Sequence, residues 1–256
     1  MTDRAEDLAR IAKALESAAE VLLRHAAADV PYELKEDKGL VTAADREVDE
    51  LLRTTLPQSG DGWLSEETPD DRQRIGCRRV WICDPLDGTR SFVAQRPEYS
   101  VSIALVEDGV PVLGGVCNPV KPFTAIGGPG LGVSVEGDPS LDWPGSARLR
   151  VLASRSERRA GLWQRWDDNA DLAVLQSGSV AYKLALVAAG AADASWTVWP
   201  KNEWDVAAGV ALVRAAGGTC WLPEDAALQF NQPRPRFAGL YAAGSGLAAT
   251  VRDLVG

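Results

Sequence analysis

An apolar run, Val80-Trp81-Ile82-Cys83, leads straight into Asp84-Pro85-Leu86-Asp87-Gly88-Thr89. Four apolar residues in a row read as a buried strand. Pro85 turns the chain directly after it, and Asp87, three residues beyond Asp84, can swing back to the same side. A fold that buries this strand therefore carries two carboxylates to one end of it. They serve either as turn residues or to hold something positive.

The segments around it fall into two patterns. Residues 3–28 predict an amphipathic helix with Leu8, Ile11, Leu15, Leu22 and Leu23 on its apolar face. VTAADREVDELLRTTLP predicts a second helix, capped near Thr42 and stopped by Pro57. GDGWLSEE reads as a short strand ending in two acids, YSVSIALVEDGVPVLGGVCNP as a hairpin about EDG, and FTAIGGPGLGVSVEG as a further hairpin. PSLDWPGS, residues 139–146, is the candidate boundary. Beyond it strand and helix alternate: ARLRVLAS, a helix over 157–170, LAVLQSG, a helix over 179–190, ADASWTV, and a helix from Val206 to Ala216 closed by Gly217-Gly218. Residues 1–145 are thus expected to form an α+β subdomain and 146–256 an α/β subdomain.

Composition removes several classes. With 256 residues, 46% of them hydrophobic, the chain can bury one large core or two intimate ones. A net charge of -9 argues against a nucleic acid polymer or an anionic membrane as partner. It leaves room for a small anionic substrate, because bound metal inverts local charge. His25 is the one histidine; it lies near the end of the first helix, where a cation suits the dipole. Zinc hydrolases and histidine-based triads are therefore disfavoured. Cys77, Cys83, Cys117 and Cys220 form no C-x-x-C pair and read as reduced structural thiols. The start of the chain has no signal-peptide core, so a cytoplasmic protein is expected. Phosphate-loop, dinucleotide and nucleophile-elbow motifs are absent. Trp163 and Trp166 read as core or interface residues on a helix face.

The acids carry the remaining signal. Taken singly, Asp205 reads as a helix N-cap, Asp87-Gly88 as a turn, Glu66-Glu67 as a solvated strand end and Asp45 as an exposed helix residue. Taken together, acids that end neighbouring strands converge at one sheet edge and repel one another unless cations compensate. Oxygen ligands without His or Cys favour Mg²⁺ or Mn²⁺. Two such ions, about 3.5–4 Å apart, clamp a phosphoryl group for transfer to water. Gly88 then admits an anion close to the backbone, and the Thr89 hydroxyl can bind a water and hand its proton to a carboxylate.

LSEE (64–67), DPLDGT (84–89) and WDVAAG (204–209), preceded by VTAAD (41–45), resemble the inositol monophosphatase superfamily of Mg²⁺-dependent, Li⁺-sensitive phosphatases. KEDKGLVTAAD (35–45), ASRSE (153–157), GSVAYKLALVAAGAAD (178–193) and KNEWDVAAG (201–209) are most similar to the CysQ-like 3'(2'),5'-bisphosphate nucleotidases within it. The resemblance implies an α+β fold, a layered α-β-α-β-α sandwich of the inositol monophosphatase / fructose-1,6-bisphosphatase type. It implies two or three Mg²⁺ ions, with Mn²⁺ as a substitute, held by Glu66, Asp84, Asp87, Asp205 and the carbonyl of Leu86, with Asp84 bridging. Asp45 and Thr89 would activate the attacking water, and Gly88, Thr89, Gly178, Ser179 and Asp205 would contact substrate; Glu67 would stand behind the metal ligands. Only six of the 27 basic residues are lysines, and three of them, Lys35, Lys183 and Lys201, fall in these motifs. Lys183 or Lys201 is expected to meet a second, non-scissile phosphate. The implied reaction removes the 3'-phosphate of adenosine 3',5'-bisphosphate. Inositol 1-phosphate or another sugar phosphate is the alternative substrate, and a non-catalytic nucleotide or metal sensor is the remote alternative. The partner is a small phosphorylated molecule, and a homodimer is compatible with the family.

Overall fold

The computed structural model describes residues 4–26, 30–35, 39–145, 148–223 and 226–255. The ends of the expected first helix, residue 3 and residues 27–28, lie outside the described residues, as do 36–38 of the KEDKGLVTAAD motif.

The first half runs α1 (Arg4–His25), β1 (Tyr32–Leu34), β2 (Leu40–Thr42), α2 (Ala43–Thr55), β3 (Gly62–Ser65), β4 (Arg79–Asp87), α3 (Thr89–Val93), β5 (Ser100–Glu107), β6 (Val110–Asn118), β7 (Phe123–Gly128) and β8 (Gly132–Gly137). The second runs β9 (Leu149–Ser154), α4 (Arg155–Arg159), α5 (Gln164–Asp167), β10 (Leu172–Ser177), α6 (Val180–Ala188), β11 (Ala194–Thr197), β12 (Lys201–Asn202), α7 (Glu203–Ala215), β13 (Thr219–Trp221), β14 (Arg236–Phe237), β15 (Leu240–Ala243) and α8 (Ala248–Val255).

Alternation along β4 sets the layers. Trp81 and Cys83 point to one face and join α1 and α2 in a core with Ile11, Leu15, Leu22, Val48 and Leu52. Val80 and Ile82 point to the other and meet α6 and α7 through Leu184, Ala208 and Leu212. A strand buried on both faces has no polar side to alternate with. The six-stranded sheet, ordered β3-β4-β5-β6-β7-β8, is antiparallel except for the parallel pair β3–β4. On the far side of α6 and α7 lies the five-stranded sheet β10-β9-β11-β15-β13, in which β9, β10 and β11 are parallel. Its outer face packs Val151, Trp163, Trp166, Trp196 and Val251 together, with Trp163 stacked on Trp196 at 4.8 Å between centroids. The result is the expected α-β-α-β-α sandwich. Apart from two small two-stranded sheets, β1-β2 and β12-β14, strands up to Gly137 build the six-stranded sheet and strands from Leu149 the five-stranded one, so the change of sheet falls across residues 138–148. The helical layer between them is common to both.

Local chemistry explains most elements. Thr42 caps α2 as expected, with Asp45 returning the bond in a capping box. Asp108 and Gly109 both take positive φ, 48° and 76°, the two-residue turn that EDG announced between β5 and β6. Among the described residues no helix is long and apolar enough to cross a membrane.

Four expectations need correction. The helix over 157–170 is two short pieces, α4 and α5, because Gly161 at φ 78° breaks it. Pro85 does not end its strand: β4 continues to Asp87 with a register shift between Asp84 and Asp87. The last of the expected helices starts at Glu203 rather than Val206, capped by Asn202. Leu23 is 52% exposed, because it sits one position, or 100°, round from the buried Leu22.

Candidate active site

β3 and β4 are parallel and in register at Ser65–Cys83, so Glu66, just past the end of β3, and Asp84, at the irregularity in β4, stand side by side. The bulge after Asp84 turns the next residues toward the same edge. Asp84 Oδ1 accepts from the Leu86 N–H at 3.0 Å, while its Oδ2 is buried with no hydrogen-bond partner among the described residues. Helix α7 packs across β4, β5 and β6 and brings in Asp205 from its first turn. One carboxylate oxygen each from Glu66, Asp84 and Asp205 then lies within 4.8 Å of the others.

Three carboxylates cannot comfortably ionise there. Burial, then Glu66, Asp87 and Asp205, push Asp84 far above the usual carboxylate range. Burial with Asp87 and Glu66 lifts Asp205 to about 7. Burial also raises Glu66, against the pull of Lys35. Lys35 Nζ bonds Glu66 Oε1 at 3.0 Å and Glu67 Oε1 at 2.6 Å. A set of hard oxygen donors, without nitrogen or sulfur and with one buried oxygen orphaned, fits a divalent cation of the Mg²⁺ or Mn²⁺ kind.

Asp87 is held from the other half of the chain. Its Oδ2 accepts from Ser179 Oγ and from the Ala181 N–H, both at 2.7 Å, which docks the start of α6 onto it. Ser179 takes a positive φ of 43° to do so, a strained geometry of the kind found at functional sites. Gly178 makes the approach fit: a Cβ there would stand 2.4 Å from Ser91 Oγ and 2.5 Å from the Glu98 carbonyl. Gly88, at φ 100°, occupies left-handed backbone that favours glycine and caps α3. Directly after it, Thr89 Oγ1 donates to Asp45 Oδ1 at 3.2 Å and to the Leu86 carbonyl at 3.1 Å. Asp45 Oδ2 accepts from the Thr42 N–H and hydroxyl at 2.7 and 2.6 Å. Burial raises the Asp45 carboxyl, and those Thr42 and Thr89 bonds oppose the rise.

Glu66, Asp87, Gly88 and Thr89 line one cavity of about 420 Å³ together with Gly178, Ser179, Lys183 and Lys201. Lys183 is 2% exposed. Burial draws its ammonium down to about 8 even though Asp87 supports the charge. Arg90, Arg96, Arg155 and Arg159 complete the wall, giving six cations against two acids in a chain of net charge -9.

Of the expected metal ligands, Glu66, Asp84 and Asp205 form the three-oxygen cluster, while Asp87 and the Leu86 carbonyl are engaged by Ser179, Ala181 and Thr89; each acid's single-residue reading fails. Asp45 is 1% exposed, not on the helix surface. Asp205 is the third residue of α7, accepting from the Asn202 N–H at 2.9 Å, not the cap. Asp87 closes a strand rather than opening a free turn. Glu66 and Glu67 are held by Lys35, and burial lifts Glu67 to about 7. Ser179, expected at the substrate, has its hydroxyl committed to Asp87. Sequence reasoning missed the four arginines. Arg90 lay in view beside DPLDGT and Arg155 within ASRSE, but only the fold brings them to one cavity.

Comparison with known proteins gives a consistent set. The profile of the inositol monophosphatase family matches residues 4–255. A histidinol-phosphatase of Mycobacterium tuberculosis is 35% identical over 232 residues, covering 85% of this chain and 83% of the relative. A 3'-phosphoadenosine 5'-phosphate phosphatase of Mycobacterium leprae is 33% identical, covering 83% of each. The crystal structure of CysQ from Bacteroides thetaiotaomicron superposes with a TM-score of 0.78 at 28% identity, covering 93% of this chain and 97% of that one.

Proposed function

The chain belongs to the inositol monophosphatase family, and from that premise we propose that it is a divalent-metal-dependent phosphomonoesterase acting on a substrate with two phosphates, adenosine 3',5'-bisphosphate. The observation that carries this reading is the pairing of an acid cluster with an orphaned Asp84 oxygen and a six-cation cavity beside it. The first suits metal and the second suits a polyanion.

In this reading Glu66, Asp84, Asp87 and Asp205 hold Mg²⁺ with the Leu86 carbonyl. When bound, the metal supplies Lewis-acid stabilisation of the phosphoryl oxygens and a more acidic water. Thr89 takes the proton of the attacking water and passes its own along the existing bond to Asp45. Burial favours that step by making Asp45 the more basic of ordinary carboxylates. Ser179 and Ala181 fix Asp87, and Lys183 and Lys201 offset the negative charge at the inner end of the cavity. In this reading water attacks directly, activated by the hydrogen-bonded Thr89–Asp45 pair.

The M. tuberculosis relative favours histidinol phosphate as a second reading. That substrate carries an ammonium, which six neighbouring cations repel. Phosphate release from adenosine 3',5'-bisphosphate, inositol 1-phosphate and histidinol phosphate, with Mg²⁺ and with chelator, decides between them. The bisphosphate is expected to give the highest kcat/KM, and chelator to abolish it. Preference for either other substrate overturns the nucleotide assignment alone; no release from any, with Mg²⁺ bound, overturns the phosphatase mechanism.

A further inference from the structure

Resting on the bisphosphate reading above, we propose that Arg96 and Arg159 form the subsite for the substrate's non-scissile phosphate, with Arg90 beside them. The sequence pointed instead to Lys183 or Lys201. Lys183 is buried, and both lysines act electrostatically on Asp87, so they belong to the acid end of the cavity, where the scissile group sits. The second phosphate of a nucleoside bisphosphate lies a ribose away and needs cations further out.

The arginines meet that need. Two of the neighbouring guanidinium groups are already neutralised: Arg155 pairs with Glu98 at 2.9 Å and Arg158 with Asp167 at 2.6 Å. Arg90, Arg96 and Arg159 have no carboxylate partner among the described residues and are exposed. Arg96 and Arg159 line both the main cavity and a groove of about 600 Å³ that runs on from it beside Gln176. Next to Gln176, Ser177 is 6% exposed and lines the cavity, and its hydroxyl lacks any hydrogen-bond partner among the described residues. An anion there completes both deficits at once: it gives the guanidinium forks a partner and the hydroxyl an acceptor.

The test compares adenosine 3',5'-bisphosphate with adenosine 3'-monophosphate, which differ only in the distal phosphate. The wild-type chain, Arg96→Gln, Arg159→Gln and the double variant are assayed at saturating Mg²⁺. Wild type is expected to prefer the bisphosphate, and the double variant to lose about tenfold or more of that preference, chiefly through KM. Arg159→Lys keeps the charge without the fork and should fall between. Thermal unfolding checks that these exposed substitutions leave the fold intact. A preference that survives the double substitution overturns the subsite while leaving the bisphosphate reading standing. A wild type that turns over only other phosphomonoesters overturns that reading, and this subsite falls with it.

Discussion

At the N-terminal end of β4, Arg79 faces Asp7, Asp61 and Glu107; past the middle of the same strand, Asp84 faces Glu66, Asp87 and Asp205. The first cluster is closed. The Arg79 guanidinium reaches Asp7 at 3.0 Å, Asp61 at 3.0 Å and Glu107 at 3.2 Å. Arg10 adds a contact to Asp7 at 3.4 Å and Arg4 one to Glu107 at 3.1 Å. The second cluster is open. Lys35 touches Glu66, yet no side-chain cation bonds Asp84 or Asp205 among the described residues, and burial and repulsion keep both carboxyls raised. One strand thus carries a set of acids that the chain neutralises itself and a set that, in the proposed function, a cation from solution balances. The first is how a protein makes buried acids structural; the second is how it makes a binding site, at a cost in stability.

The widest separation between the two should come from removing charge at the open end. Asp84→Asn is expected to lower phosphate release by about 10³-fold or more, on the order of 4 kcal/mol. The metal-free protein should meanwhile melt no lower than wild type, because a buried carboxyl that its surroundings disfavour is replaced by a neutral amide. Near-normal turnover would erase the distinction. Next in size, Arg79→Met removes the cation shared by three acids, leaving Asp61 with none among the described residues and Asp7 and Glu107 with their outer arginines, and should cost about 3 kcal/mol in urea unfolding while kcat stays close to wild type. A loss well under 1 kcal/mol would mean the closed cluster is not held by its arginine.

A third effect is smaller and depends on pH. Burial and then like charge raise the folded-state carboxyls of Asp84 and Asp205, the latter to about 7. Without metal the folded chain therefore binds more protons than the unfolded chain between the ordinary carboxyl range, near pH 4, and about pH 7. This contribution to stability is present at low pH and declines as pH rises through that window. Mg²⁺ competes with those protons, so its stabilising effect should grow with pH, reaching about 2–3 kcal/mol at a hundredfold excess over Kd. Thermal midpoints at pH 5 and 7.5, each with and without Mg²⁺, measure it. An equal shift at both values would contradict the raised carboxyls.

The contrast also shows what the sequence could reveal. Features formed by consecutive residues were readable: the V-W-I-C run as a two-faced strand, Thr42 as a cap, Asp108-Gly109 as a hairpin turn. The acid site was readable because its members stand at strand ends and a helix start, where short motifs mark them. Contacts between distant residues were not. Ser179 and Ala181 reach Asp87 across more than 90 positions. Arg96 and Arg159 share a groove through no local pattern. The helix over 157–170 divides because Gly161, at φ 78°, breaks the backbone between α4 and α5, although Trp163 and Trp166 beyond it suit a helical face. No local pattern marks Arg79 either; the fold sets three carboxylates around it.

The central claim is that the open cluster is a metal site. Calorimetric titration with Mg²⁺ at pH 7, repeated in buffers of different ionisation heat, tests it on wild type, Asp84→Asn and Arg79→Met. The account predicts binding with proton release in wild type and in Arg79→Met, and loss of binding in Asp84→Asn. Binding that persists unchanged in Asp84→Asn, or wild-type binding without proton release, would contradict it.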